Sequence, residues 1–198
     1  MMFSIKFGPR IVALPIILAL GGCVSFGGKA PASMLVLTAD NVVTAGVART
    51  ALTTEALVIQ TPDVPRKLDT NRIPVQINAS SIAYLKDAFW ADKPARLMQS
   101  LLVETVSAKS GNLVLNELDA GGKAPRSLSG SLIEFGIDAS SNEAVVVYDA
   151  VKIMRGSATE KRRFEARKRI AAIEAAPAGA ALNSAANDVA AQIADWVN

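Results

Sequence analysis

Histidine is absent from this 198-residue chain, and cysteine occurs once, at position 23. Without an imidazole there is no Ser-His-Asp or Cys-His nucleophile and no histidine-ligated metal. A single thiol cannot form an internal disulfide, so the folded part must be held together by packing alone. A membrane-spanning stretch near the start is missing too. Ile11 to Leu20 (IVALPIILAL) is about half the length a transmembrane helix needs. Acidic residues are lacking before Asp40, while Lys6 and Arg10 precede the apolar run. Positive charge followed by a short apolar core reads as a secretory signal rather than a span.

The signal ends at Leu20-Gly21-Gly22-Cys23, which resembles the bacterial lipobox. Small residues let a peptidase approach the backbone, and the thiol of the new N-terminus accepts a diacylglycerol, with palmitate as the expected acyl group. The alternative is an ordinary cleaved signal with an incidental cysteine. One acyl chain binds a bilayer only marginally, whereas two or three anchor a protein stably. Cys23 is therefore expected to be the lipid attachment site. The next residue is Val24 rather than the aspartate that retains Gram-negative lipoproteins at the inner membrane, so the expected location is the outer membrane, facing the periplasm. The expected organisation is a lipoprotein signal peptide over 1–22, a lipid-anchored tether over 23–33 and a periplasmic domain over 34–198.

Removing residues 1–22 leaves 176 of the 198 residues, enough for one domain to bury a core unaided. It also takes Lys6 and Arg10, so 19 cations face 18 anions and the net charge falls from +3 to about +1. The high isoelectric point thus gives no support to nucleic-acid binding. With the thiol acylated, only carboxylates, lysines and hydroxyls remain for catalysis. Glycosidase chemistry alone stays open among the common classes.

Along the chain, Met34–Leu37 and Ala56–Gln60 read as strands, with residues 39–53 as a loop or short helix between them. Ile73–Ile77 and Ile82–Phe89 give two more strands across a polar turn. Asp92 as cap, Pro94 in the first turn and Leu97, Met98, Leu101, Leu102, Thr105 and Val106 at helical spacing predict a helix that Gly111 ends. A short strand over Leu113–Leu115 follows. Gly121-Gly122-Lys123 lacks the spacing of a phosphate loop. Leu128–Asp138 and Glu143–Met154, separated by Ala-Ser-Ser-Asn, predict a hairpin. Arg155–Ser157 turns into a third strand over Thr159–Ile173. Leu182, Ala186, Val189, Ile193, Trp196 and Val197 line one face of a closing helix. This order predicts an α+β fold: a single domain with a mixed, mostly antiparallel sheet and two main helices packed on it.

The densest charge is Glu160–Arg169 (EKRRFEARKR). On a strand, Lys161, Arg163, Glu165, Arg167 and Arg169 share one face, opposite Arg162, Phe164, Ala166, Lys168 and Ile170. The four cations of the first face could meet lipid headgroups, lipopolysaccharide or an acidic partner. The plainer alternative is a solvated face or the guard of an edge strand. Asp87 with Asp92, or Asp138 with Asp149, would have to meet in a cleft to act as acid and base, and nothing in the spacing brings them there. Trp90 and Trp196 read as core anchors. No catalytic residue, metal site or cofactor is expected.

Several stretches together resemble the ABC-type transport auxiliary lipoproteins. They are Met34-Leu-Val-Leu-Thr38, Leu68–Val75, Ile82–Leu85, and Phe89-Trp90-Ala-Asp-Lys-Pro94 with Leu97, Leu101 and Leu102 behind it. Leu132–Phe135, Val145–Ala150, Arg163-Phe164 and the closing helix with Ala185, Val189, Ile193 and Trp196 complete the match. It spans the mature chain, departing at Met34, where an aromatic is common. The resemblance implies a non-catalytic partner of an inner-membrane permease, its ATPase and a mammalian-cell-entry (MCE) substrate-binding protein. Such systems move phospholipids or other hydrophobic molecules across the envelope, and the lipoprotein would dock the MCE component at the outer membrane. The alternative is a self-contained lipid-binding lipoprotein holding an acyl chain between helices and sheet. Oligomeric state, a homo-oligomer included, stays open.

Overall fold

The computed structural model describes residues 1–2, 33–52, 55–121, 126–154 and 158–198. Cys23, Val24 and the tether up to residue 32 lie outside them, as do the turn expected at Arg155–Ser157 and residues 122–125 of the glycine-bearing loop. Pro31–Asn198 forms a compact unit. Its elements are β1 (Leu57–Ile59), a 3-10 turn (Arg66–Leu68), β2 (Arg72–Asn78), β3 (Ser81–Phe89), α1 (Pro94–Ser110), β4 (Val114–Asn116), β5 (Arg126–Asp138), β6 (Glu143–Ile153), β7 (Glu160–Arg169) and α2 (Ala175–Val197).

Helix α1 begins and ends as its sequence predicts. Pro94 opens it with φ already set, and Gly111 closes it in the left-handed conformation, φ 68°. The cap position is Lys93 rather than Asp92. Asp92 instead accepts from the Lys93 amide at 2.7 Å and from Arg96 Nε at 3.0 Å, steadying the first turn from just outside it.

The sheet is mixed and seven-stranded, with β5 as its trunk. One edge of β5 pairs antiparallel with β6, and β6 pairs with β7. The other edge is shared end to end. Strand β1 runs parallel to Arg126–Leu128 and carries β4; β2 runs parallel to Ile137–Asp138 and carries β3. Pairing of β5 with β6 slips by one residue between Leu132 and Glu134, which makes Ile133 a bulge. Because side chains alternate faces, one extra residue reverses the parity. Leu128 and Leu132 therefore share the core with Phe135 and Ile137, two even positions with two odd ones.

Both helices pack on one face of this sheet, α2 over β6 and β7 and α1 over β1 and β4. Their C-terminal ends lie together, where Lys109 Nζ is 2.7 Å from Asp195. Between the layers Trp90 meets Phe135 with ring centroids 5.2 Å apart. Met98, Leu102, Tyr148 and Leu182 are fully buried around them. Ala178, Ala185, Ala186 and Ala190 keep the inner face of α2 shallow, so the helix approaches the sheet closely. No helix among the described residues is long and apolar enough to cross a membrane.

Met34–Leu37 does not form the expected strand. It makes one bridge, Leu35 N–H donating to Phe89 O at 2.7 Å and Ala91 N–H donating to Leu35 O at 2.8 Å. From there an extended strap crosses the helical layer. Asn183 Oδ1 accepts from Thr38 N–H at 2.8 Å, Asn187 Oδ1 from Asp40 N–H at 2.8 Å, and Glu104 Oε1 from Val43 N–H at 2.6 Å. Arg49 donates to the Ser107 carbonyl. Leu35, Leu37 and Ala39 turn inward onto the core. The apolar alternation that suggested a strand is present, but its backbone meets the end of β3 only at Leu35, and helix side chains satisfy the backbone that follows.

Candidate functional site

The face of the sheet opposite the helices is where the charged row of β7 falls. In β6, Ala144, Val146, Tyr148 and Ala150 point into the core, so Glu143, Val145, Val147, Asp149 and Val151 point away from it. Val145 and Val147 are nonetheless 7% exposed and stand outside the core cluster. They stand opposite Arg167 and Glu165 in register, and side chains of that length cover apolar surface with their stems while keeping their heads wet.

Register sets two of the row's four cations opposite acids, Arg163 opposite Asp149 and Arg169 opposite Glu143. Arg163 pairs with Asp149 across the ladder and grips it with two bonds, Nε to Oδ1 at 2.6 Å and Nη2 to Oδ2 at 2.8 Å. Lys161 Nζ lies 3.7 Å from the same carboxylate. Arg167 Nε donates to Glu165 at 2.6 Å, and its Nη1 lies 3.7 Å from Asp138 and 3.6 Å from Glu143. Arg169 has no ion pair among the described residues. Hydrogen bonding from Arg163 holds the Asp149 carboxyl below its ordinary range and raises the guanidinium in return. Glu165 likewise raises Arg167. The division of faces expected from the sequence is correct: Phe164 and Ala166 are buried against the helices, and Lys168 reaches Asp188 of α2 at 2.6 Å. Sequence alone did not disclose that acids of β5 and β6 interleave with three of the four cations.

Beside this row a cavity of about 540 Å³ opens on the same face, with Val145, Pro74 and Gly136 in its lining and Lys67, Glu134 and Arg167 among its charged groups. Lys67 Nζ contacts Glu134 at 2.6 Å. No motif announces it, since Lys67 and Gln76 come from the β2 side and Glu134 and Val145 from the trunk hairpin.

Of the acid pairs considered for catalysis, Asp138 and Asp149 are held far apart. Asp87 is exposed, and Asp92 is engaged at the start of α1. Asp138 pairs in register with Glu143, six residues along β6 from Asp149, a separation of roughly 20 Å at ~3.3 Å per residue. Two-carboxylate glycosidases place their acids within about 5 to 9.5 Å. Asp138 accepts instead from Ser140, whose hydroxyl at 2.6 Å keeps that carboxyl below its usual range. Burial raises the Tyr148 hydroxyl, and the Asp63 charge adds to this, so it stays protonated. Among the described residues no cluster of three or more His, Cys, Asp or Glu could hold a metal. Trp90 is a core anchor, as expected. Trp196 is half-buried, beneath Lys152 Nζ at 4.6 Å from its ring and beside Phe164 at 5.5 Å.

The fold and this face define a two-layer α+β domain whose charged groups engage one another rather than converge on a reacting atom. The family model for the ABC-type transport auxiliary lipoprotein component matches residues 37–194, so the chain belongs to that family and is an auxiliary lipoprotein component of ABC-type transport. The resemblance drawn from its sequence is thereby borne out. The chain is similar in fold to protein XCC0632 from Xanthomonas campestris, of family DUF330: 16% identity, TM-score 0.66, covering 83% of this chain and 94% of that one. It is also similar to a solved structure of an uncharacterized protein, at 16% identity and TM-score 0.63, covering 76% and 97%. No match was found among curated proteins.

Proposed function

We propose that the chain is the outer-membrane docking subunit of a lipid-transport system, holding the periplasmic MCE component of an ABC permease and ATPase. The observation that carries this reading is the family match over residues 37–194, preceded in the sequence by a positively charged apolar leader and Leu20-Gly21-Gly22-Cys23. In this reading residues 1–22 are removed, Cys23 carries the acyl chains, and 23–33 tether the domain. Val24 directs it to the outer membrane. The substrate is a phospholipid or another hydrophobic molecule, and the chain itself performs no reaction.

The surface offered to the partner is the row Lys161, Arg163, Arg167 and Arg169. Among the described residues it lies on the sheet face that no helix covers and on a strand that pairs only with β6. Arg163 and Arg167 stand ready-oriented by their acids, and Arg169 is free to take an acidic partner group. Filling of the space between helices and sheet by Trp90, Phe135, Met98 and Tyr148 supports docking over the holding of an acyl chain there.

The test is recovery of the intact, acylated protein from the native envelope under gentle solubilisation. Co-purification of MCE, permease and ATPase components is the expected result. Recovery of the lipoprotein without any of them would overturn the assignment. Labelling with radioactive palmitate, abolished by Cys23→Ser, checks the anchor separately.

A further inference from the structure

The strap over the helices presents an apolar side to solvent. Leu35, Leu37 and Ala39 turn inward, while Met34 and Val36 are 55% and 57% exposed. Farther along, Val42 and Val47 are 63% and 55% exposed. Residues 33–52 carry only two charges, Asp40 and Arg49, and Arg49 is engaged at the Ser107 carbonyl. The helical layer beneath is similarly quiet. Exposed or half-buried positions of α2 include Ala180, Ala181, Ser184 and Ala191, and its acids Asp188 and Asp195 are paired with Lys168 and Lys109. Glu104 of α1 is engaged by the Val43 amide. The opposite face carries the charged row. The domain is thus two-sided, one broad face nearly without free charge and the other laced with it.

We infer that the strap is the face the domain lays against the bilayer that anchors it, so that the charged sheet face looks into the periplasm. This rests on acylation of Cys23 as proposed above. Chain length selects the occupant. Ser33 is ten residues from Cys23, a reach of at most about 35 Å when fully extended. The strap begins at that point, making it the first part of the folded unit after the anchor. Isolated apolar side chains bind lipid weakly, but an anchored protein meets its own membrane at a high effective concentration. Val36, Val42 and Val47 can then enter the headgroup boundary while the sheet stays clear of it. A second copy or another protein would need to cover the same side chains in place of lipid.

The experiment uses the full chain in its native envelope. A photoreactive side chain is placed at position 36, 42 or 47, and at Ser129 or Glu165 on the opposite sheet face for comparison. Lipid adducts severalfold more abundant at 36, 42 and 47 than at 129 and 165 are the expected result. Equal yields at all five positions, or adducts at 36, 42 and 47 with a second copy or another protein, overturn the inference. Palmitate incorporation is read in the same cells. Palmitate-labelled protein without strap–lipid adducts disproves the orientation and leaves the anchor standing. Absence of palmitate removes both.

Discussion

Gly136 of β5 and Pro74 of β2 touch backbone to backbone. A Cβ at position 136 would overlap the Pro74 carbonyl oxygen and lie 2.9 Å from Cγ of the proline ring. This contact lies beside the two parallel pairs, Val75 with Ile137 and Gln76 with Asp138, that join β2 to the trunk.

Gly136→Ala is accordingly expected to destabilise the domain by about 3 kcal/mol, the upper part of the usual overpacking range, because backbone rather than a side-chain tip must move. Thermal unfolding of the two proteins measures it. Gly179→Ala is the contrasting case. Its Cβ would meet Leu35 Cδ2 at 2.7 Å, but that is the end of a side chain able to rotate away. Alanine also gains about 1 kcal/mol over glycine within a helix, so the net change is expected to be small.

Asn187 is 4% exposed and fastens the strap. Its Oδ1 accepts from Asp40 N–H at 2.8 Å, and its Nδ2 donates to Thr38 O at 2.8 Å and Asn183 O at 3.0 Å. Asn187→Ala strands a backbone donor and acceptor and is expected to cost about 1–3 kcal/mol. Hydrogen exchange should localise the loss, with the Asp40 amide losing protection while the β5–β6 ladder keeps most of its own.

The Asp149–Arg163 pair predicts an acid dependence with a definite sign. The folded carboxyl titrates below its ordinary 3.8, so its contribution is fully present above that pH and is lost as pH falls through the folded value. Asp149→Asn should therefore be less stable than the parent at neutral pH, with the gap closing in acid. Denaturant midpoints measured from pH 7 to pH 2 test this. A gap unchanged at the acid end would show that the carboxylate charge is not what matters.

If the proposed anchoring at Cys23 and sorting by Val24 hold, Val24→Asp moves the protein from the outer to the inner membrane without changing palmitate incorporation. Density-gradient separation of the two membranes reads the shift. An unmoved protein would show that residue 24 does not govern sorting here.

Local signals in the sequence located most of the elements. Pro94 and Gly111 bracket α1, and the polar Ala139–Asn142 turn joins β5 to β6, with Asn142 at φ 53°. The α+β class follows from that order. The parallel pairing of β1 and β2 to opposite ends of β5 is not legible, because nothing local records which distant strand a short apolar run will join. The bulge at Ile133 is hidden for a related reason: Leu132-Ile133-Glu134-Phe135 reads as an interrupted alternation until a partner strand shows which residue is extra. On the candidate face, the period of two sorted the β7 charges correctly. Their neutralisation depends on contacts that only the folded sheet discloses: cross-strand register put Asp149 opposite Arg163, and Arg167 reaches Asp138 of β5 and Glu143 of β6.

The shared edge of β5 has a structural consequence. Beyond that edge, β4–β1 and β3–β2 form separate branches, with no strand pairing between them among the described residues. Only the bridge from Asp63 to Ser131 marks the fork in between. Each branch is therefore held to the trunk by its own few parallel pairs, three for β1 and two for β2. The β6–β7 side, by contrast, pairs with β5 along nearly its whole length, interrupted at the Ile133 bulge. The charged row therefore lies on the side of β5 that carries the longer pairing.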